Sequence, residues 1–149
     1  MALTTFFSGG QIDRAPLLRI DEHALREAWH ATDTRFVVLW RSRCLVAEQN
    51  AVLLRQTELM QATLEDSIYL GRRAERHLFA LTLPDELPAG GPTESDFDNF
   101  RGMLVSMQDD DAALLAYAKG MLEWRERHRH CGRCGQPNLA QQGGFVMVC

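Results

Sequence analysis

A chain of 149 residues with 46% apolar and 24% charged side chains has the composition of a soluble globular protein, and it can bury a sizeable core. Its net charge of −4 argues against a nucleic-acid or membrane-surface role for the chain as a whole, because both favour clustered excess Lys and Arg. No run approaches the roughly 18 apolar residues of a membrane span, and the N-terminus lacks the basic leader and apolar run of a secretory signal.

The first half of the chain predicts short alternating elements. Phe6 and Phe7 open an extended segment, and Asp21 is placed to cap a helix that runs to about His30. The β-branched and aromatic run Thr34–Trp40 predicts a strand, which Arg41 and Ser42 turn into a second strand at Cys44–Glu48. A short helix is expected over Leu59–Leu64.

The middle of the chain predicts a hairpin, a loop and a helix. Ser67–Leu70 and His77–Leu83 are the two strands, with Gly71 starting the turn between them. The Pro- and Gly-rich segment Asp85–Thr93 predicts a surface loop. Ser95 followed by Asp98 resembles a capping box, which favours a helix to about Gln108.

The segment from about Ala112 to Arg129 carries the clearest helical pattern. Its apolar residues recur at helical spacing and give one apolar stripe. Three aspartates, Asp109–Asp111, precede it where the helix dipole favours anions, and basic residues follow at its other end. Helix capping explains this acidic run more simply than a metal cluster does.

Three of the four cysteines form a pattern typical of a zinc ribbon. Cys131 and Cys134 make a Cys-x-x-Cys turn, and Cys149 follows after fourteen residues. Gln136–Val148 has the length of the hairpin that would bring the third thiol back, with Gly143-Gly144 as turn material. This use of cysteine suits a reducing cytosol better than a disulfide framework, and Cys44 is expected to be a buried small apolar residue.

The ribbon pattern leaves its fourth ligand open. His130, His128, a residue of another chain or water are the alternatives, and the two histidines are also explained as cations at a helix C-terminus. A redox role for the Cys-x-x-Cys turn is disfavoured, because redox motifs lower the thiol pKa at a helix N-terminus and this motif follows a helix C-terminus. No catalytic constellation is visible anywhere in the sequence.

These patterns predict an α+β fold, with an antiparallel sheet of about four to six strands packed by two or three helices and followed by an incomplete zinc ribbon. The expected organisation is an N-terminal α+β domain over residues 1–108, a long connecting helix over 109–130 and a truncated ribbon over 131–149.

The chain resembles the N-terminal half of NADH pyrophosphatases of the Nudix superfamily, the NudC-like enzymes. The resemblance covers nearly the whole chain and is strong from about Ala112 onward, with WRERHRHCGRCG the closest stretch. It also includes SIYLG and HLFAL, and it is loose before Ser67, where it includes the Asp13-Arg14 pair. Phe145 stands where the family commonly has tryptophan, and Arg125 where it usually has histidine. The glutamate-rich Nudix box, G-x5-E-x7-R-E-x-x-E-E, and the fourth ribbon cysteine do not occur in these residues.

The resemblance implies a piece of a cytoplasmic, homodimeric enzyme that hydrolyses the pyrophosphate of NADH or NAD to a nicotinamide mononucleotide and AMP. It implies structural zinc at Cys131, Cys134 and Cys149, and Mg or Mn bound outside this chain. NAD-capped RNA is a further substrate of some members. The 149-residue chain is then expected to be an inactive fragment with a scaffolding and dimerisation role. A stand-alone zinc-binding interaction module and, less favoured, a nucleic-acid-binding ribbon are the alternatives.

Overall fold

A computed structural model describes residues 11–59, 61–103 and 106–149. In these ranges the helices are Pro16–Arg19 (α1), Glu22–His30 (α2), Phe100–Met103 (α3) and Asp109–Arg127 (α4). The strands are Arg35–Trp40 (β1), Arg43–Ala47 (β2), Asn50–Ala51 (β3), Leu53–Leu54 (β4), Ile68–Arg73 (β5), Arg76–Thr82 (β6), Phe97–Asp98 (β7), Leu139–Gln141 (β8) and Val146–Val148 (β9). None of the described helices has the length and apolarity needed to cross a bilayer.

The first seven strands form one sheet with the order β3-β2-β1-β6-β5, in which β4 also pairs with β1 and β7 with β2. The α+β prediction is confirmed, but the sheet is mixed, because β1 and β6 run parallel. The β5–β6 hairpin joins the sheet through its second strand. This arrangement places the strands that are buried on both faces, β1 and β6, at the centre of the sheet.

Helices cover both faces of this sheet. On one face, Trp29 of α2 makes edge contacts with the rings of Phe36 and Phe79, whose centroids lie 4.8 and 5.2 Å away. On the other face, the apolar side of α4, which includes Leu114 and Leu115, packs on β1, β5 and β6. Alternate residues of β1 point to opposite faces, so each face has its own apolar cluster.

Several local predictions are confirmed. The Asp21 carboxylate accepts hydrogen bonds from the amides of His23 and Ala24, both at 3.0 Å, and α2 ends at His30 as expected. Arg41 and Ser42 adopt positive φ values of 47° and 61°, a turn that joins β1 to β2. The long helix is observed as α4, Asp109–Arg127. The extended segment predicted at Phe6 and Phe7 lies outside the described residues.

Three local predictions are wrong. Leu59–Leu64 is not helical in its described residues; a 3-10 helix lies earlier, at Gln56–Glu58. Gly71 does not start a turn but lies inside β5, opposite Leu78. The helix expected after Ser95 is interrupted, because Phe97 pairs with Leu45 of β2 and this tertiary pairing overrides the local helical pattern.

Candidate metal centre

The C-terminal segment turns back on itself directly after α4. The backbone amide of Asn138 donates to the carbonyl oxygen of Arg129 at 2.8 Å. The side-chain amide of Asn138 donates to the carbonyl oxygen of His128, also at 2.8 Å. These two bonds satisfy carbonyl groups beyond the helix end and fix where the cysteine-containing turn begins.

The Cys-x-x-Cys turn is closed by backbone hydrogen bonds. The amide of Gly135 donates to the Cys131 carbonyl oxygen, and the amide of Cys131 donates to the Gln136 carbonyl oxygen, both at 2.8 Å. The amide of Arg133 points at the Cys131 sulfur, with an N–S distance of 3.4 Å. This is the arrangement of backbone donors that the thiolate ligands of a metal receive in Cys-x-x-Cys turns.

The β8–β9 hairpin brings the third cysteine to this turn. Leu139 pairs with Val148, so Cys149 follows the last paired position and lies beside the start of the hairpin. The sulfur atoms of Cys131, Cys134 and Cys149 all lie within 4.8 Å of one another, and the Cys134–Cys149 distance is 3.4 Å. The three thiols are free, so no disulfide competes for them.

Two of the three sulfurs, those of Cys131 and Cys149, have pKa values shifted in opposite directions. The amide of Arg133 lowers the pKa of Cys131 to about 7, with smaller contributions from the amide and thiol of Cys134. The neighbouring Cys134 raises the pKa of Cys149 above its ordinary value. The cluster therefore holds one acidic thiol beside a more basic one, and a bound cation would favour the charged form of each sulfur.

The structure does not bring either predicted histidine into the sulfur cluster. In the described ranges, the one group of three or more potential metal ligands consists of the three cysteines alone. His128 instead donates from Nδ1 to the Trp124 carbonyl oxygen at 2.6 Å, and its ring lies against the Trp124 ring, tilted by 30°, with centroids 5.0 Å apart. His130 forms an isolated bridge with Pro137.

The ribbon hairpin is held on the α+β domain by its own turn. Gly144 lies against Ile68, and a Cβ added to Gly144 would approach the Ile68 Cγ1 to 2.9 Å. The Phe145 ring lies 6.5 Å from that of Tyr117, and the Arg19 guanidinium carbon lies 3.8 Å above the Phe145 ring centroid. The sequence pattern at Gly143 and Gly144 predicts only a turn; the apolar Phe145 directly after them is the available sign of an anchor.

The aspartate run has a different role from a metal cluster. The Asp111 carboxylate accepts from the Ala51 amide at 2.9 Å and from the Arg73 guanidinium at 3.2 Å. Asp111 therefore joins the start of α4 to β3 and β5, while Asp109 and Asp110 remain exposed in the first turn.

Comparison with protein families identifies both parts of the chain. Residues 33–124 match a family model described as an NADH pyrophosphatase-like rudimentary NUDIX domain. The chain belongs to this family. Residues 126–149 match a second family model, the NADH pyrophosphatase zinc ribbon domain, and the three clustered cysteines fall inside it.

Curated relatives are similar at low identity. The NAD-capped RNA hydrolase of Schizosaccharomyces pombe is 23% identical over 186 residues, covering 99% of this chain and 50% of the relative. NudC of Deinococcus radiodurans, also an NAD-capped RNA hydrolase, is 27% identical over 80% of this chain and 40% of its own length. NudC of Stutzerimonas stutzeri is 32% identical over 48% of this chain and 24% of its own length. The chain thus spans half or less of the length of these relatives.

Proposed function

We propose that this chain is the non-catalytic N-terminal part of an NAD(H) diphosphatase, in which it supports a zinc ribbon, the catalytic domain and a homodimer. The observation that carries the proposal is the convergence of three cysteine sulfurs in a ribbon that is anchored on a rudimentary NUDIX domain. The domain organisation proposed is 1–108 for the α+β domain, 109–130 for the connecting helix and 131–149 for the ribbon.

The three sulfurs fit a zinc ion. A tetrahedral zinc site with Zn–S bonds of about 2.3 Å places its sulfurs about 3.8 Å apart, which is compatible with three atoms that lie within 4.8 Å of one another. Thiolates are also the ligands that favour zinc over Mg or Ca. We propose Cys131, Cys134 and Cys149 as ligands, with His130, His128 or a residue outside this chain as the fourth. When bound, the zinc would cross-link the Cys-x-x-Cys turn to the end of β9.

The proposed reaction of the parent enzyme is hydrolysis of the pyrophosphate in NADH or NAD, giving NMN(H) and AMP. The names of the relatives support NAD-capped RNA as a further substrate. The Mg or Mn of that reaction would be bound outside this chain, which lacks the Nudix-box glutamates. The reduced cysteines support a cytoplasmic location.

The proposal is tested by comparing two proteins in the same assay. A protein that joins this chain to its catalytic Nudix domain is expected, with Mn, to convert NADH to NMNH and AMP, and the 149-residue chain is expected to give no turnover. Products are separated by liquid chromatography. Robust turnover by the 149-residue chain would refute the non-catalytic role. A longer protein that leaves NADH intact while cleaving other nucleotides would refute the substrate.

A further inference from the structure

Three arginines gather where the ribbon meets the α+β domain. The Arg14 guanidinium carbon lies 4.7 Å above the Tyr117 ring centroid, and Arg19 lies over Phe145, the neighbour of Tyr117. Arg72 of β5 joins the group through Asp13, the residue before Arg14, to which it donates at 2.9 Å. We call Arg14, Arg19 and Arg72 the arginine cluster.

The positive charge of this cluster is only partly neutralised. Asp13 pairs with Arg72, and Glu75 also acts on Arg72, but neither Arg14 nor Arg19 has an ion-pair partner among the described residues. The residues outside the described ranges contain no Asp or Glu, so none of their side chains supplies a missing carboxylate. The net charge of −4 therefore describes the whole chain and not this surface.

Unsatisfied hydrogen-bond donors lie at the same place. In the described part of the chain, the buried side-chain nitrogen and oxygen atoms without a partner are Nε of Arg19 and Nε of Arg72. A buried donor left without an acceptor costs free energy, but these two atoms have almost no exposed surface. A ligand on the surface would therefore bind the other guanidinium nitrogens of Arg19 and Arg72.

We propose that the arginine cluster binds the phosphodiester chain of single-stranded RNA. A guanidinium stacked on an aromatic ring keeps its N–H groups free at the edge of its plane, where they match phosphate oxygens. Arg14 is exposed and the other two arginines are half-buried, so the cations form a surface that a strand can cross. Taking RNA as the ligand rests on the proposed function, since the relatives are named for a capped RNA.

The test measures binding of an uncapped, fluorescently labelled single-stranded oligoribonucleotide as a function of salt, so it does not depend on hydrolysis. Each phosphate contact with single-stranded nucleic acid contributes about 0.7 to the slope of log K against log salt. We expect R14Q to reduce the magnitude of this slope by about 0.7, and the R14Q/R19Q double variant to reduce it by about 1.4. The matched control is R101Q on α3. This helix follows β7, which pairs with β2 towards the edge of the sheet opposite to β5, and the variant is expected to leave the slope unchanged.

Further variants and competitors make each outcome decisive. The R14K/R19K variant keeps both charges and is expected to keep the slope, which separates charge from folding. Because Arg14 is exposed, R14Q alone remains a test if the double variant unfolds. An unchanged slope in R14Q and in the folded double variant would overturn the proposal. So would a wild-type protein that binds NAD or inorganic phosphate through these arginines but does not bind the RNA. The two proposals can also fail separately. If R14Q and R14Q/R19Q reduce the salt dependence of RNA binding, but the protein that includes the catalytic domain leaves NADH intact, only the proposed hydrolase activity is refuted.

Discussion

Gly71 occupies a position in β5 that only glycine fits. Its φ of +130° lies in a region that L side chains rarely adopt, and a Cβ there would overlap the Asp13 carbonyl oxygen and lie 2.9 Å from the Arg14 Cα. This close approach permits the two backbone hydrogen bonds between Asp13 and Arg72, at 2.9 and 2.7 Å. A single glycine thus fixes the Asp13-Arg14 segment on the edge of the sheet.

We expect G71A to lower the free energy of unfolding by about 2–4 kcal/mol, because backbone strain and a steric overlap act together. The matched control is G120A in the exposed middle of α4, where a Cβ meets nothing within 4 Å and alanine is expected to add about 1 kcal/mol. Urea unfolding of both variants measures the difference. A G71A protein as stable as the wild type would contradict this assignment.

The four cysteines occupy two different environments. Cys44 is fully buried in the core, and burial raises the pKa of its thiol to about 11. Cys134 and Cys149 are exposed and Cys131 is partly exposed. Reactivity toward an alkylating reagent should therefore separate the proposed zinc ligands from the core thiol within one molecule.

In the presence of a chelator we expect Cys131, Cys134 and Cys149 to be alkylated quickly and Cys44 only on unfolding. One equivalent of zinc should slow the alkylation of these three cysteines, because a metal-bound thiolate is a poor nucleophile. The alkylation rate of Cys44 should not change. Peptide mass spectrometry measures each site, and native mass spectrometry counts zinc and subunits. Alkylation of all three at an unchanged rate with zinc bound would contradict their role as ligands. If H130A or H128A loses the zinc, that histidine is the fourth ligand, which keeps the stand-alone zinc module open.

At the scale of elements, the docking of the β8–β9 hairpin depends on its turn. Gly143 and Gly144 have φ values of 63° and 88°, so the chain passes close to Tyr69 and Ile68 and presents Phe145 to Tyr117 and Arg19. Arg125 of α4 strengthens this region by donating to the Ser67 carbonyl oxygen at 2.7 Å. The ribbon is therefore packed on the domain instead of hanging from the end of α4.

We expect F145A to loosen the hairpin without unfolding the domain. Truncation of a half-buried phenylalanine should lower the local opening free energy of β8 and β9 by about 1–3 kcal/mol. Hydrogen exchange of those strand amides should accelerate accordingly, while the amides of β1 and β6 stay protected. L139A is the matched control on the same hairpin, because Leu139 is 70% exposed. Equal acceleration in β1 and β6 would show that the ribbon and the domain unfold as one unit.

At the scale of the whole molecule, the helices and the ribbon all pack against the mixed sheet. It buries one apolar cluster under α2 and another under α4, and its β5 edge receives both the N-terminal segment through Asp13 and the ribbon through Gly144. The arginine cluster lies where these two attachments meet. Ribbon, domain and cluster are consequently parts of one surface, although their residues come from positions 13–19, 72 and 117–145 of the chain.

The sequence by itself determined the features that depend on neighbours along the chain. The helix after Asp21, the strands β1, β2, β5 and β6, the helix α4 and the Cys-x-x-Cys turn follow from capping residues, periodicity and spacing, which act over a few residues. The resemblance and the three cysteines likewise indicated the family and the sulfur cluster, which the comparisons and the geometry bear out.

Only the tertiary structure decided what depends on partners distant in sequence. Contacts between segments tens of residues apart produce the parallel β1–β6 pair, the strand at Phe97 and the two hydrogen bonds that Asp111 accepts from Ala51 and Arg73. The close approach of Gly71 to Asp13 is also a contact of this kind. Local propensity amounts to at most about 1 kcal/mol per residue, and burial and sheet pairing override it. The gathering of Arg14, Arg19 and Arg72 has the same cause, since no local pattern joins residues 14 and 72 until the sheet edge brings them together.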